Sequence, residues 1–136
     1  VFASVYFWFP KITGRLADSG IAKIAFVLNF IGTQVTFWPL FIIGVEGMPR
    51  RYWNYDMFPQ FQGYHQVATV GAFITAVGIL LMVIGWIISA IRGPAAGQNP
   101  WNAKSLEWTH APSPPGPGNF PKDVVVTADW TPYNYR

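Results

Sequence analysis

Cysteine is absent from the 136 residues, so disulfides and thiolate metal sites are excluded. Charge is scarce too. Only 11% of residues are Asp, Glu, Lys or Arg, against roughly 25% in soluble domains, which argues against an ordinary water-soluble domain. Histidine occurs twice, as His65 and His110. Neither has a second ligand near it in sequence, so each reads as an interfacial polar residue and no metal site is expected. The six acids form no pair at a spacing suited to general acid–base work. No phosphate-cradling glycine loop and no nucleophile motif is found. The net charge of +3 comes from nine scattered basic residues that form no stripe, so nucleic acid is not among the expected partners. An initiator Met and a charged leader are lacking as well. The chain opens inside an apolar run and reads as the rear portion of something longer.

What is abundant is aromatic and aliphatic surface. Aromatics make up 18% of the chain, with seven Trp and eleven Phe, a composition suited to lipid and its interfaces. The sequence predicts an all-α transmembrane fold with an extended proline-rich tail. Residues 1–10 are apolar but too short to cross about 30 Å of hydrocarbon, and read as the end of a truncated helix closed by Pro10 and Gly14. Residues 11–23 carry Lys11, Arg15 and Asp18 and read as a polar inner-side turn. Residues 24–45 are free of charge and long enough for a transmembrane helix. Asn29, Thr33 and Thr36, with Gly32, share one face that should look at protein, and Pro39 should kink the outer end. Residues 67–91 form a second charge-free span. There Gly71, Gly78 and Gly85 recur every seven residues and invite close helix packing. Arg92, Gly93 and Pro94 then stop it, with Gly93 expected in the left-handed conformation. Residues 92–136 hold most of the 12 prolines and read as a tail, with one short strand at 124–127.

Between the spans, residues 46–66 form a loop opened by Glu46-Gly47-Met48-Pro49-Arg50-Arg51-Tyr52. Two adjacent guanidinium groups beside a proline need an anion. They can snorkel to lipid headgroups, or clamp two different carboxylates or phosphates, since neighbouring residues point in different directions. Glu46 and Asp56 are the nearest acids in sequence and are expected as partners. Lys11, Arg15, Lys23, Arg92 and Lys104 weight the outer flanks of the two spans, which places the arginine loop on the outer side and the tail on the cytoplasmic side.

Thr36-Phe37-Trp38-Pro39, Gly44 and Gly47-Met48-Pro49-Arg50-Arg51-Tyr52 resemble the segment joining the last two membrane helices of heme–copper oxidase subunit I. Tyr6-Phe7-Trp8-Phe9-Pro10-Lys11-Ile12-Thr13-Gly14-Arg15 is similar to the end of that subunit's tenth helix. Asn99-Pro100-Trp101, Ser105-Leu106-Glu107-Trp108, Ser113-Pro114-Pro115 and Asn119-Phe120 are similar to its tail. The resemblance runs from Val1 to about Phe120. It implies a fragment of a proton-pumping terminal oxidase that reduces oxygen to water. The whole subunit would hold two hemes, of the a type, and copper, on histidines that lie before Val1. Arg50 and Arg51 would hold the heme propionates and support the proton exit region. Partners implied are the rest of subunit I, the other oxidase subunits, cytochrome c or quinol as donor, and the lipid of a respiratory membrane, the bacterial plasma membrane.

The sequence departs from the family pattern in places. Asn54-Tyr55-Asp56 stands for Asp-Tyr-Pro, a histidine is replaced near Leu40-Phe41, Phe61-Gln62 stands for Trp-Asn, and Gly116 breaks a proline triplet. The competing reading is a non-catalytic two-helix accessory subunit of a respiratory complex.

Overall fold

The computed structural model describes residues 1–114 and 116. The motif at Asn119-Phe120 and the strand expected at 124–127 lie outside the described residues. Among those described, the chain is helical. Helix α1 spans Phe2–Thr13, α2 Ser19–Val45, α3 Gln62–Arg92 and α4 Leu106–Thr109, with a 3-10 turn at Pro59–Phe61 leading into α3. One isolated antiparallel bridge, Arg15 to Ala95, is the extent of β pairing among them. Helices α2 and α3 are each long and apolar enough to cross a membrane.

Two compact units divide the chain: Ser19–Gly85, and Val1–Asp18 together with the described residues from Trp86 onward. In the first, α2 and α3 pack through small residues. Ala68, Gly71, Gly78, Met82 and Gly85 are buried on α3, and Ala25, Gly32, Pro39 and Ile43 on α2. Their alternating three- and four-residue spacing keeps one seam facing the partner helix along its length. A methyl group on Gly71 would lie 2.5 Å from the Thr36 amide nitrogen, and one on Gly78 would lie 3.0 Å from that of Asn29. The backbones therefore touch where side chains would normally separate them. The polar residues on this face donate within their own helices, while the buried Asn29 Oδ1 has no partner among the described residues. Thr36 Oγ1 donates to the Gly32 carbonyl at 2.7 Å, Thr75 Oγ1 to Gly71 at 3.0 Å and Asn29 Nδ2 to Ala25 at 2.8 Å. Thr33 is exposed instead, because the seam is centred on Gly32 and Thr36 and falls to one side of it.

In the second unit the end of α1 carries the tail. Pro10 does not close α1. The helix continues to Thr13, and the left-handed Gly14 (φ 71°) caps it by donating to the Pro10 carbonyl at 2.8 Å. Gly93, expected in the left-handed region, is not there: the positive-φ glycines described are Gly14 and Gly47. Gly93 is needed for closeness instead, since a methyl on it would sit 2.6 Å from the Leu16 carbonyl oxygen. The tail is also less featureless than its composition suggests. Asn99 brackets a turn through Ala103, accepting from its amide at 2.9 Å and donating to its carbonyl at 2.7 Å. Helix α4 then places Trp108 against α1, where it is fully buried. Trp108 stacks on Trp8 (5.6 Å) and meets Phe7 edge-on (5.3 Å). Trp101 Nε1 donates to the Phe7 carbonyl at 3.0 Å. The surface on which Trp101 and Trp108 lie is the chain's own first helix.

Candidate anion-binding loop

The loop between α2 and α3 begins with a backbone device. Helix α2 ends where the Gly47 amide donates to the Gly44 carbonyl at 3.4 Å and the Met48 amide to the Ile43 carbonyl at 3.1 Å. Gly47 has φ 94°, open to glycine at little cost. This pair of bonds is the Schellman arrangement, which brings the residue after the glycine back onto the last helical turn. Met48 does so: it is buried with Ile43 and Phe61, and Leu40, Phe58 and Tyr64 pack around them. The apolar cluster thus pins the chain immediately before Pro49.

Beyond that pin stand Arg50 and Arg51, both exposed. Arg51 has φ 59°, a left-handed conformation that a non-glycine residue adopts at a cost of about 1–2 kcal/mol. Such strain persists only where the surroundings hold it. Here the holding groups follow directly. The Tyr52 ring lies 5.9 Å from His65 and 6.3 Å from Tyr55, and Tyr55 stacks on His65 at 4.5 Å. His65, at the start of α3, is the post around which both tyrosines fold. The rest of the loop is closed by the Phe58 amide on the Tyr55 carbonyl (2.9 Å) and the Phe61 amide on Phe58 (3.0 Å).

The acids expected to balance the arginines do not do so. Asp56 is held by Asn54, whose Nδ2 donates to Asp56 Oδ2 at 2.7 Å while Asn54 Oδ1 accepts from the Asp56 amide at 3.0 Å. Two-residue spacing makes this local turn cheaper than a reach back to the arginines. Among the described residues neither guanidinium has a hydrogen-bond or ion-pair partner. The arrangement offers two fixed cations and up to ten N–H donors to anions from outside this segment.

His110 lies far along the chain, its Nδ1 2.7 Å from Thr109 Oγ1. Among the described residues no group of three His, Cys, Asp or Glu side chains is placed to hold a metal ion.

Residues 1–74, over half of the chain, match the family described as cytochrome c and quinol oxidase polypeptide I. The chain belongs to that family. The match takes in α1, α2, the arginine loop and the first part of α3. Among curated oxidase subunits, cytochrome c oxidase subunit 1 of Thermostichus vulcanus is 44% identical over 99% of the chain. The heme-copper oxidase subunit I+III of Aeropyrum pernix is 40% identical over 95%, and the probable quinol oxidase subunit 1 of Staphylococcus aureus 35% over 97%. The chain spans 24%, 15% and 20% of those relatives' lengths, respectively. Membership in this oxidase family, with two helices of spanning length, makes it part of an integral membrane protein.

The family motif made Arg50 and Arg51 legible in the sequence. The Tyr52–Tyr55–His65 cluster was not, because nothing in the spacing of 52, 55 and 65 shows that the loop turns back onto the first turn of α3.

Proposed function

We propose that this chain is the C-terminal part of the catalytic subunit of a proton-pumping terminal oxidase, and that Arg50 and Arg51 neutralise heme propionates. The observation that carries the reading is the pair of guanidiniums that have no partner among the described residues, on a turn that is fixed on both sides. Gly47 and Met48 anchor it before the pair, and Tyr52, Tyr55 and His65 hold it after. A carboxylate drawn into a protein interior must find a hydrogen-bonded cation, and the planar fork of arginine suits it. In the whole subunit the hemes and copper would supply oxygen reduction. This chain's share is to keep the propionates ionised, fix their position and add positive potential beside them. Around propionates enclosed by the whole subunit, the titratable groups of this loop would also suit the proton exit side.

The loop then faces the outer side of a respiratory membrane and the tail the cytoplasm, in keeping with Lys11, Arg15, Lys23, Arg92 and Lys104 on the opposite flanks. The partners are the remainder of subunit I, other oxidase subunits and a donor that is cytochrome c or a quinol.

Replacing Arg51 by Met in the intact oxidase tests this. The heme midpoint potentials should fall or proton pumping should be impaired, while Arg51→Lys, which keeps the charge and loses the fork, should give a smaller shift. Unchanged potentials with full pumping in Arg51→Met would sink the propionate role.

A further inference from the structure

The arginine pair stands on a short stretch pinned at both ends. On one side Met48 is buried with Ile43 and Phe61; on the other the Tyr52 ring lies against His65. Between the pins come Pro49, Arg50 and Arg51. The pyrrolidine ring locks φ at Pro49. Arg51 sits at φ 59°, where a non-glycine backbone stays only if its surroundings hold it. The far pin therefore decides where the second guanidinium goes.

His65 forms that pin. It lies at the start of α3, and its carbonyl accepts from Thr69 Oγ1 at 2.8 Å. Its neighbours Phe61 and Tyr64 belong to the cluster that buries Ile43 and Met48, so both pins stand on one packed end of α2 and α3. Tyr55 stacks on the imidazole, 4.5 Å between centroids and 27° between planes, while Tyr52 meets it edge-on at 5.9 Å. The hold is by rings alone. Among the described residues no hydrogen bond reaches the His65 side chain, and its Nε2 is buried without a partner. A nitrogen so covered cannot meet a ligand that arrives from outside the loop. His65 thus acts on the site through Tyr52, without touching what the arginines hold.

We propose that His65 is the positioning residue of the arginine pair. Its ring holds Tyr52, Tyr52 holds Arg51 in the left-handed conformation, and that conformation aims the second guanidinium at its anion. Without the ring, residue 51 relaxes to negative φ and its side chain swings away. That the anion is a heme propionate rests on the function proposed for the loop, whereas the hold on Arg51 does not.

The test uses the complete oxidase, as wild type, His65→Ala, His65→Phe, Arg51→Met and the double variant Arg51→Met/His65→Ala. Heme midpoint potentials form one arm. His65→Ala should lower them in the same direction as Arg51→Met but by less, His65→Phe, which keeps a ring, should stay at the wild-type values, and the double variant should fall no further than Arg51→Met. Hydrogen–deuterium exchange of the loop forms the other arm. The Asp56 and Phe58 amides, both hydrogen-bonded within the loop, should exchange about tenfold faster in His65→Ala and at the wild-type rate in His65→Phe. Exchange in His65→Ala equal to wild type overturns the positioning role. So do wild-type potentials in His65→Ala where Arg51→Met shifts them, and so do falls that add in the double variant. If Arg51→Met itself leaves the potentials unchanged, the propionate reading has failed, and the exchange rates still decide whether His65 holds the arginine.

Discussion

The Met48 amide donates to the Ile43 carbonyl at 3.1 Å, and the two side chains are buried together with Phe61. One residue thus ends a membrane-length helix and fixes the base from which two arginines project. The same backbone turn serves stability and the candidate site.

That turn depends on Gly47 in a way that separates it from its neighbour Gly44. Nothing lies within 4 Å of a methyl group built on either residue, so neither substitution clashes. Gly47 alone has a positive φ, of 94°. Gly47→Ala should therefore destabilise by about 1–2 kcal/mol from backbone conformation alone. Gly44→Ala, inside α2, should stabilise by up to ~1 kcal/mol. Thermal denaturation of the two variants in parallel decides it; equal shifts would show that the αL turn is not what closes α2.

At the α2–α3 seam the limit is space. A methyl on Gly71 meets the Thr36 backbone nitrogen at 2.5 Å, and backbone cannot rotate away. Gly71→Ala should cost about 1–3 kcal/mol through overpacking. Ala72→Gly, one residue round the helix on an exposed position, should cost no more than ~1 kcal/mol. The yield of assembled oxidase and its melting temperature report the difference, and a tolerant Gly71 would mean that the helices do not touch there.

Tail docking rests on Trp108, which is fully buried against Phe7 and Trp8. Trp108→Ala should cost about 3–5 kcal/mol locally. It should expose the segment around Asn99–Ala111 to protease, whereas Trp53→Ala, at a position 92% exposed, should not. Limited proteolysis followed by mass mapping measures this. Unaltered cleavage in Trp108→Ala would assign the docking to other contacts.

Lys11 gives a pH dependence with a definite sign. It lies outside both membrane-length helices, and burial holds its ammonium below the ordinary value near 10.5. Between the depressed value and 10.5 the unfolded chain binds more protons than the folded one, so stability from this group rises with pH across that window. Below the window the contribution is constant. Lys11→Met lacks the titration, so the melting-temperature difference should move in favour of wild type as pH climbs toward 10.5. A flat difference would mean that the ammonium is not desolvated in the folded protein.

Much of the architecture was legible before any coordinates. The charge-free runs at 24–45 and 67–91 mark the two long helices, because a charged side chain in hydrocarbon costs too much to place there by accident. The Gly71–Gly78–Gly85 repeat marks the packing face for a similar reason: without a hydrophobic force between helices in lipid, small residues let the backbones meet. Pro10 and Gly93 were misread. Proline inside a short helix was taken as a terminator, although α1 runs three residues past it. A glycine followed by proline was taken as an αL cap, although it is small to admit the Leu16 carbonyl.

The sequence by itself determined where this chain can meet lipid, which two cations it presents between its spans and which oxidase family it resembles. These follow from local quantities: run length, charge, residue size at helical spacing, and a contiguous motif. Tertiary structure alone decided that Glu46 and Asp56 leave those cations unpaired, that His65 gathers Tyr52 and Tyr55, and that Lys11 is buried beside Ser113 a hundred residues away. Such outcomes depend on which distant segments share space and which donors find nearer acceptors, and chain folding settles both.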